Sequence, residues 1–393
     1  MWLRIGLFSE SFPPVIDGVS NVAYNYARYI EQNHGESVVV TPKYRNAVDD
    51  YPFRVIRYDA VMPKKETAYS VGNPYDLKTL QKLQRQKFDL IHIHSPFASS
   101  LMAAMIAPQH KIPVVLTYHT KFDVDFEERM DVAVFRKVAM SFVMKNIRAA
   151  DEVWAVSRGA GESLQKLGYE GSVRVVENGT DFPQGVSSAE ELDALFGQTY
   201  RIAPGELVLA YIGRMMWYKN LALIIDSLAM AKRRGLKFRM FFVGDGTERQ
   251  DIQAYAQKAG IMDCTVFTGA VSDRAELRKY YSRADLFLFP STFDTSGIVV
   301  KEAAACRCPA ILTRGSCAAE DITDGVNGFL AEENAESLCT QLMAAVADRE
   351  KLHQVGVRAG EDIYLSWEDA VARGYHRYEE IVSEWREKKL NAR

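Results

Sequence analysis

The segment LVLAYIGRMMWYKNL, residues 207–221, passes from an apolar run through a glycine into two cations and the start of a helix. The apolar run ends at Gly213, Arg214 follows at once, and Lys219 comes five residues later. A buried strand, a turn and a helix form the repeating unit of parallel α/β proteins. Because this unit begins near the middle of a chain of 393 residues, it predicts that a second α/β domain starts here.

Short apolar runs alternate with helical patterns on both sides of this segment. Between Val19 and Ile30, apolar residues recur at the three- and four-residue spacing of an amphipathic helix. The predicted strands are Leu3–Phe8, Ser37–Thr41, Phe53–Arg57, Leu90–His94, Val114–Tyr118, Glu152–Val156, Val173–Glu177, Leu207–Ile212, Arg239–Val243, Thr265–Thr268, Leu286–Pro290, Ala310–Thr313 and Gly328–Leu330. This alternation predicts an α/β protein with two Rossmann-like, doubly wound domains, each a parallel sheet covered by helices on both faces.

A stretch rich in proline and glycine interrupts the alternation between the two halves. We therefore predict an N-terminal domain over residues 1–182, a connection over 183–205 and a C-terminal domain over 206–365. The last residues, 366–393, form a helical tail that we expect to pack back on the N-terminal domain.

Composition narrows the class of protein. Hydrophobic residues make up 48% and charged residues 25% of the chain, which is typical of a globular fold. The net charge of −3 disfavours a nucleic-acid binder that relies on overall basicity. None of the five cysteines forms a C-x-x-C pair, and we find neither a signal peptide nor an apolar run long enough to span a membrane. We expect a cytoplasmic location, with peripheral contact to the inner face of the cell membrane left open.

The loop over residues 9–18 follows the first predicted strand, where open α/β sheets bind ligands. It lacks the G-x-G-x-x-G pattern, so the dinucleotide fingerprint of a dehydrogenase is absent. Gly18 at the helix start would let a phosphate approach the backbone amides and the positive end of the helix dipole. An ordinary helix cap formed by Asp17 explains the same residues.

The two cations in residues 207–221 point to an anion more directly. A lysine at the start of a helix is unfavourable for the helix dipole unless an anion occupies the site. Arg214 and Lys219 together could neutralise a diphosphate. Two unrelated surface cations are the simpler alternative.

The segment over residues 289–302 adds two acids separated by seven residues, Asp294 and Glu302. Between them lie small residues and the start of a helix, so backbone amides over residues 296–299 could face an anion. Glu302, inside the helix, could accept hydrogen bonds from ribose hydroxyls. A capped helix that carries an incidental acid remains the alternative.

Together these segments resemble glycosyltransferase family 4, a group of retaining enzymes with the GT-B fold, in which two Rossmann-like domains face a central cleft. The matching residues are Gly18, Tyr118-His119-Thr120, Asn178-Gly179-Thr180-Asp181, Gly213-Arg214, Lys219-Asn220, Gly244-Asp245-Gly246, Pro290-Ser291, Asp294, Glu302-Ala303 and residues 324–330. Within the family, residues 92–97 and 118–120 are most similar to bacterial enzymes that glucosylate diacylglycerol. Residues 121–128 depart from the tyrosine-rich stretch of those enzymes.

The resemblance implies a role for each matching residue. The catalytic residues would be His119, Arg214, Lys219 and Asp294. The diphosphate would be held by Gly18, Arg214, Lys219, Ser296, Gly297 and Ile298. The nucleoside would be bound by Glu302, Gly269 and Val271, and the acceptor by Asp17, Phe122 and Asp123. The family usually has glutamate where this chain has Asp294, which leaves the identity of the sugar open. The implied reaction moves a hexose from a nucleotide-sugar, with UDP-glucose favoured, to an acceptor hydroxyl on a lipid or a saccharide.

No metal and no cofactor are expected beside the nucleotide-sugar substrate. Residues 123–125 form a D-x-D pattern that binds metal in another glycosyltransferase fold, but that fold has a single domain. His92 and His94 are expected on opposite faces of one strand, which disfavours a shared zinc ion. A noncatalytic protein that binds nucleotide-sugars is the alternative from a different class.

The segment over residues 132–148 carries a broad apolar stripe with four basic residues among the apolar ones. A basic amphipathic helix of this kind can lie in the headgroup region of an anionic membrane. A helix that buries the stripe in its own domain explains the pattern equally well. Both interpretations stay open on the sequence alone.

Overall fold

The computed structural model describes residues 1–15, 17–61, 70–129 and 132–391, without the side chains of residues 124, 125, 128 and 129. The strands are β1 (Arg4–Phe8), β2 (Glu36–Pro42), β3 (Arg54–Tyr58), β4 (Ala60–Val61), β5 (Val71–Gly72), β6 (Leu90–Ile93), β7 (Val114–Tyr118), β8 (Glu152–Ala155), β9 (Val173–Val175), β10 (Val208–Ile212), β11 (Arg239–Val243), β12 (Thr265–Gly269), β13 (Leu286–Phe289), β14 (Ala310–Thr313) and β15 (Phe329–Ala331). The helices are α1 (Gly18–Asn33), α2 (Leu77–Gln84), α3 (Ala98–His110), α4 (Phe122–Arg129), α5 (Ala133–Arg148), α6 (Arg158–Lys166), α7 (Ala189–Leu192), α8 (Leu221–Arg233), α9 (Arg249–Lys258), α10 (Arg274–Arg283), α11 (Ile298–Ala305), α12 (Ala335–Ala347), α13 (Arg349–Asp362) and α14 (Trp367–Asn391).

The chain divides into two units, each built on its own parallel sheet. The first unit comprises residues 1–178 and 367–393, and the second comprises residues 179–366. The first sheet has the strand order β3-β2-β1-β6-β7-β8-β9, and the second has the order β12-β11-β10-β13-β14-β15. All neighbouring strands in both sheets run parallel.

The strand order reverses direction at one place in each sheet. In the first unit this switch point lies between β1 and β6, and in the second between β10 and β13. The loops that leave the two strands at a switch point diverge, which opens a crevice at the carboxyl edge of the sheet. The segments singled out in the sequence, residues 9–18, 213–220 and 290–297, all leave strands that flank these two switch points.

The boundaries of the two units differ from those predicted. Residues 179–182 join the second unit, where the Thr180 amide donates to the carbonyl of Leu365 at 2.8 Å. The predicted connection over 183–205 also groups with the second unit, because Phe196 is buried in that unit's core. Proline and glycine thus mark irregular backbone here rather than a separate linker.

The C-terminal helix α14 packs within the first unit. Its Tyr375 hydroxyl accepts from the Leu3 amide and donates to the Met1 carbonyl, both at 2.8 Å. Its Tyr378 ring stacks on Trp154 of β8 with the ring centroids 5.2 Å apart. The helix therefore completes the core of the unit in which the chain begins.

No helix among the residues described here combines the length and the apolar character needed to cross a lipid bilayer.

Backbone hydrogen bonds join the loops at the carboxyl edge of the second sheet. The Gly213 amide donates to Val243 at 3.0 Å, and the Gly244 amide donates to Gly269 at 2.8 Å. Gly244 has a φ of +138°, and a Cβ added there would lie 2.0 Å from the Gly213 carbonyl oxygen. Only glycine lets these two loops approach so closely.

Replacing Gly244 by alanine should therefore destabilise the protein by about 3 kcal/mol or more, since a clash with the Gly213 backbone adds to the strain of a positive φ. Gly235→Ala is the matched control, because Gly235 also has a positive φ of +90° but no described atom within 4 Å of its added Cβ. It should cost only about 1–2 kcal/mol. Urea unfolding measures both, and equal losses would contradict the role of the clash.

Candidate active site

A buried ion pair joins the two loops at the switch point of the second sheet. Lys219, in the turn after β10, is 6% exposed, and its Nζ donates to Oδ1 of Asp294 at 2.5 Å. Asp294 lies in the loop after β13. The sequence pointed to both residues separately, and the structure brings them together. An ammonium carries three donor hydrogens, so this bond leaves capacity for an anionic ligand.

Two aromatic rings lie beside the Lys219 ammonium. Nζ is 5.4 Å from the ring centroid of Tyr218 and 5.2 Å from that of Phe293, within the range of cation–π attraction. Asn220, the next residue, has a φ of +59° and donates from Nδ2 to the Pro290 carbonyl at 2.9 Å. None of these contacts was predicted from the sequence, although Tyr218 and Phe293 adjoin the ion pair along the chain.

The electrostatics of the pair keep its carboxylate charged. Burial acts to raise the pKa of Asp294, but the Lys219 ammonium and its hydrogen bond, with the nearby Arg214, hold that pKa below its ordinary value. Burial lowers the pKa of Lys219, while Asp294 opposes this effect. Arg214 itself is exposed. The site therefore combines a buried, fixed cation with a solvent-facing one.

The N-terminus of α11 provides backbone donors in the same loop. Its cap residue Gly297 has no side chain that could accept from the first amides, and its φ is +56°. A Cβ at Gly297 would lie 2.8 Å from Cβ of Ala318, so glycine is required by packing as well. The amides of Ile298 and Val299 therefore lack a side-chain cap and are suited to an anion. This arrangement differs from a side-chain-capped helix with an incidental acid.

Glu302, on α11, is 4% exposed, and both of its carboxylate oxygens are engaged. Oε1 accepts from Nη2 of Arg274 at 2.6 Å, and Oε2 accepts from the Tyr281 hydroxyl at 2.8 Å. Arg274 also donates from Nε to Oδ2 of Asp181 at 3.0 Å. Glu302 was singled out from the sequence, whereas Arg274 and Tyr281, which come from α10, were not.

The residues expected near the base lie at the end of β12. Gly269 has a φ of +83°, and its carbonyl oxygen accepts from the Gly244 amide. Nη1 of Arg249 would lie 3.4 Å from a Cβ added at Gly269. Val271 is partly buried and packs against the core of the second unit.

In the first unit, His119 follows β7 and contacts a second histidine. His94 Nδ1 and His119 Nε2 are 3.1 Å apart, with the rings stacked at a centroid distance of 5.3 Å. Burial lowers the pKa of His119 to about 4, although the charge of Asp17 acts in the opposite direction. His119 is therefore a neutral imidazole at neutral pH, able to donate or accept a hydrogen bond without carrying charge.

The expected separation of His92 and His94 is wrong. Their ring centroids are 4.1 Å apart, because residues two apart along a strand lie on the same face. Both ring nitrogens of His92 are nevertheless hydrogen-bonded within the protein. Nε2 is 2.7 Å from the Thr117 hydroxyl oxygen, and Nδ1 is 2.5 Å from the Tyr378 hydroxyl oxygen. Among the described residues, no group of three or more histidines, cysteines or acids could hold a metal ion.

Asp17 caps α1, as the alternative interpretation had it. Its Oδ1 accepts from the Ser20 amide and its Oδ2 from the Ser11 hydroxyl, both at 2.7 Å. A Cβ added at Gly18 would meet no described atom within 4 Å. Protein packing therefore does not explain the glycine, whereas a ligand that approaches the helix start would.

Phe122 and Asp123 begin α4. Phe122 is 7% exposed and packs edge-on against Phe97 and Tyr118, so it belongs to the core of the first unit. The Oδ1 atom of Asp123 is buried without a hydrogen-bond partner among the described residues. The second acid of the D-x-D pattern, Asp125, has a side chain outside the described set.

Helix α5 separates the apolar stripe of the sequence into a buried and an exposed part. Val143, Met144 and Ile147 are buried. The exposed part consists of Val132, Val134, Phe135, Val138 and Phe142, which are between 37% and 66% exposed. We call these five residues the α5 stripe. Part of the stripe is thus buried and part is exposed, so neither a helix buried in its own domain nor a membrane-surface helix describes it fully.

Two family models match successive parts of the chain. Residues 16–182 match "Glycosyltransferase Family 4", and residues 195–362 match "Glycosyl transferases group 1". The chain is 25% identical over 389 residues to the alpha-monoglucosyldiacylglycerol synthase of Streptococcus pneumoniae, covering 94% of this chain and 86% of that protein. It is 27% identical over 406 residues to the sulfoquinovosyl transferase SQD2 of Arabidopsis thaliana, covering 99% and 76%.

Solved structures share the fold. The sucrose-phosphate synthase of Thermosynechococcus elongatus superposes with a TM-score of 0.78 at 20% identity, covering 97% of this chain and all of that one. HepE of Anabaena, solved with UDP-glucose, superposes with a TM-score of 0.74 at 19% identity, covering 97% and 100%. With two parallel-sheet units and these matches, the chain belongs to glycosyltransferase family 4 and is a hexosyltransferase of the GT-B fold.

Proposed function

We propose that this enzyme is a retaining hexosyltransferase that moves glucose from UDP-glucose to a hydroxyl of a membrane glycerolipid. The observation that carries the proposal is the buried Lys219–Asp294 pair, 2.5 Å apart, beside the exposed Arg214 and the N-terminus of α11. Cations and helix-end amides gather there at the carboxyl edge of one sheet, which is the arrangement a diphosphate needs.

The choice of donor rests on the relatives. Two relatives are named alpha-monoglucosyldiacylglycerol synthase, and HepE was solved with UDP-glucose. Other relatives are named GDP-mannose-dependent alpha-mannosyltransferases, so GDP-mannose is the competing donor. UDP-glucose and GDP-mannose both carry an α-linked sugar, and the relatives' names specify α products, which supports retention of configuration.

In the proposed reaction, the acceptor oxygen bonds to the anomeric carbon while the bond from that carbon to the phosphate oxygen breaks. The acceptor proton passes to the departing phosphate oxygen. Arg214, Lys219 and the amides of Ser296, Gly297 and Ile298 would stabilise the negative charge that develops on the diphosphate. We propose that no metal ion or further cofactor takes part.

Asp294 would serve the reaction in two ways. Its Oδ1 fixes the Lys219 ammonium, and its Oδ2 has no hydrogen-bond partner among the described residues. Oδ2 would accept from a hydroxyl of the donor sugar. In the first unit, we propose that His119 hydrogen-bonds substrate as a neutral imidazole and that Gly18 leaves room for a ligand at the start of α1.

The lipid acceptor is supported by the α5 stripe. By helical geometry, Lys137 lies at one edge of the four stripe residues within α5 and Lys145 lies among them, and both lysines are exposed. Exposed apolar side chains beside cations fit the interface of an anionic bilayer. We therefore propose that the enzyme acts at the inner face of the cell membrane. A saccharide acceptor or a noncatalytic binding role is the alternative that the following experiments separate.

Arg214→Ala and Lys219→Gln should each lower the turnover of UDP-glucose at least about 100-fold, because each removes a charge that stabilises the leaving diphosphate. Arg214 is exposed, so its variant should fold normally. Glutamine at 219 can still donate to Asp294, which avoids a buried, unpaired acid. Glucosyl lipid formed from UDP-glucose and vesicles that contain diacylglycerol is measured by mass spectrometry, with GDP-mannose in parallel.

Arg233→Ala, which removes an exposed arginine elsewhere on the second unit, is the matched control and should be fully active. Wild-type turnover should also persist in EDTA, since cationic side chains rather than a divalent metal neutralise the diphosphate. Near-normal kcat/KM in both site variants would refute the diphosphate assignment. Loss of activity in EDTA that manganese restores would refute the metal-free mechanism.

The wild-type protein should float with vesicles that contain anionic lipid, and binding should weaken as salt is raised. Replacing Phe135 and Val138 by serine should reduce the bound fraction at least about tenfold, because two apolar side chains no longer enter the membrane. Lys137→Glu with Lys145→Glu should weaken binding to anionic vesicles specifically.

The control for charge is Lys237→Glu with Lys258→Glu, which makes the same change in net charge on exposed residues of the second unit. This control should bind vesicles as the wild type does. A protein that stays unbound at low salt and glycosylates a water-soluble acceptor efficiently would rule out the lipid proposal.

A further inference from the structure

Arg274 connects three parts of the second unit at the start of α10. Its Nη2 donates to Oε1 of Glu302 at 2.6 Å, and its Nε donates to Oδ2 of Asp181 at 3.0 Å. Its Cζ lies 4.3 Å from the ring centroid of Phe182. The guanidinium is thus fixed by a carboxylate on either side and by an aromatic ring, a geometry that lysine would not reproduce.

The partners of Glu302 set its orientation. The Tyr281 hydroxyl donates to Oε2 at 2.8 Å, while Arg274 donates to Oε1. A carboxylate oxygen has two lone pairs, so each oxygen can accept one more hydrogen bond. A pair of neighbouring hydroxyls, such as the 2′- and 3′-hydroxyls of a ribose, matches a carboxylate held in this way.

The charge of Glu302 depends on its surroundings because the side chain is buried. The titratable groups that face it are Arg274, Asp181, Tyr281 and the Cys306 thiol. Among these groups only Arg274 carries positive charge, and Asp181 acts in the opposite direction. Burial raises the pKa of Glu302 above its ordinary value even with Arg274 in place. Without the guanidinium, the carboxyl would take up a proton at still higher pH.

We infer that Arg274 is a positioning residue of the nucleoside site, which holds Glu302 ionised and oriented so that it accepts from both ribose hydroxyls of the donor. The inference rests on the proposed function, in which Glu302 contacts the ribose. Asp181 would act one step further away, by fixing the Arg274 guanidinium from the segment where the second unit begins.

The test compares UDP with 2′,3′-dideoxy-UDP, which lacks both ribose hydroxyls, by calorimetric titration from about pH 6 to about pH 9. The ratio of the two dissociation constants reports the ribose contribution alone. In the wild type, UDP should bind at least about tenfold more tightly, as expected for hydrogen bonds to a charged acceptor. This preference should fall only at the acidic end of the range.

In Arg274→Gln the pH at which the preference is half lost should rise by about one unit or more. The sign follows from the charge: removing a cation raises the pKa of Glu302, so the protonated, non-accepting form persists to higher pH. Arg274→Lys keeps the positive charge and should return the pH of half-loss most of the way to the wild-type value, with a smaller preference because lysine does not reproduce the fixed guanidinium geometry.

Asp181→Asn is the matched control, because it alters the same network but removes a negative charge. Its preference should extend to lower pH than that of the wild type. An Arg274→Gln variant whose preference follows the wild-type pH profile, or is lost equally at every pH, would overturn the inference. The second of these outcomes would indicate a structural role alone.

Glu302→Gln separates the inference from the proposed function. It should lose the preference at every pH, because a neutral amide offers only one acceptor oxygen. If Glu302→Gln keeps the preference, Glu302 does not contact the ribose and the proposed nucleoside site fails. If wild-type protein binds GDP rather than UDP, the same comparison is made with GDP and 2′,3′-dideoxy-GDP.

Discussion

The largely buried ion pair between Lys219 and Asp294 is the interaction on which the carboxyl edge of the second sheet depends. It joins two residues that are 75 apart along the chain, in loops that leave the strands on either side of the switch point. Removing the aspartate from such a pair typically costs about 3–5 kcal/mol, because the Lys219 charge stays buried. The same pair places a cation and a carboxylate at fixed positions in the proposed donor site.

In the proposed site, each carboxylate is held in position by a cationic side chain. Asp294 is held by Lys219 and Glu302 by Arg274, so neither carboxylate is placed by its own backbone alone. The two acids lie at opposite ends of one segment that contains the N-terminus of α11. In the proposed function, the diphosphate and the ribose would therefore have separate recognition groups on one short piece of chain.

Much of this arrangement could be predicted from the sequence, because strand-end glycines, cations and helix starts are local patterns. The alternation of apolar runs predicted two doubly wound sheets. The pairing of Lys219 with Asp294 and the contact of Arg274 with Glu302 could not be predicted, since each depends on which strands become neighbours. The prediction that His92 and His94 lie on opposite faces of a strand was wrong for a different reason. The two-residue period of a strand places both on one face.

The most direct test of the central claim is a comparison of UDP with UMP by calorimetric titration of the wild-type protein. If Lys219 and Arg214 bind a diphosphate, UDP should bind about 100-fold more tightly than UMP, because UMP lacks the second charged phosphate. Equal affinities for UDP and UMP would show that these cations do not bind the diphosphate, and the account of the site would be wrong.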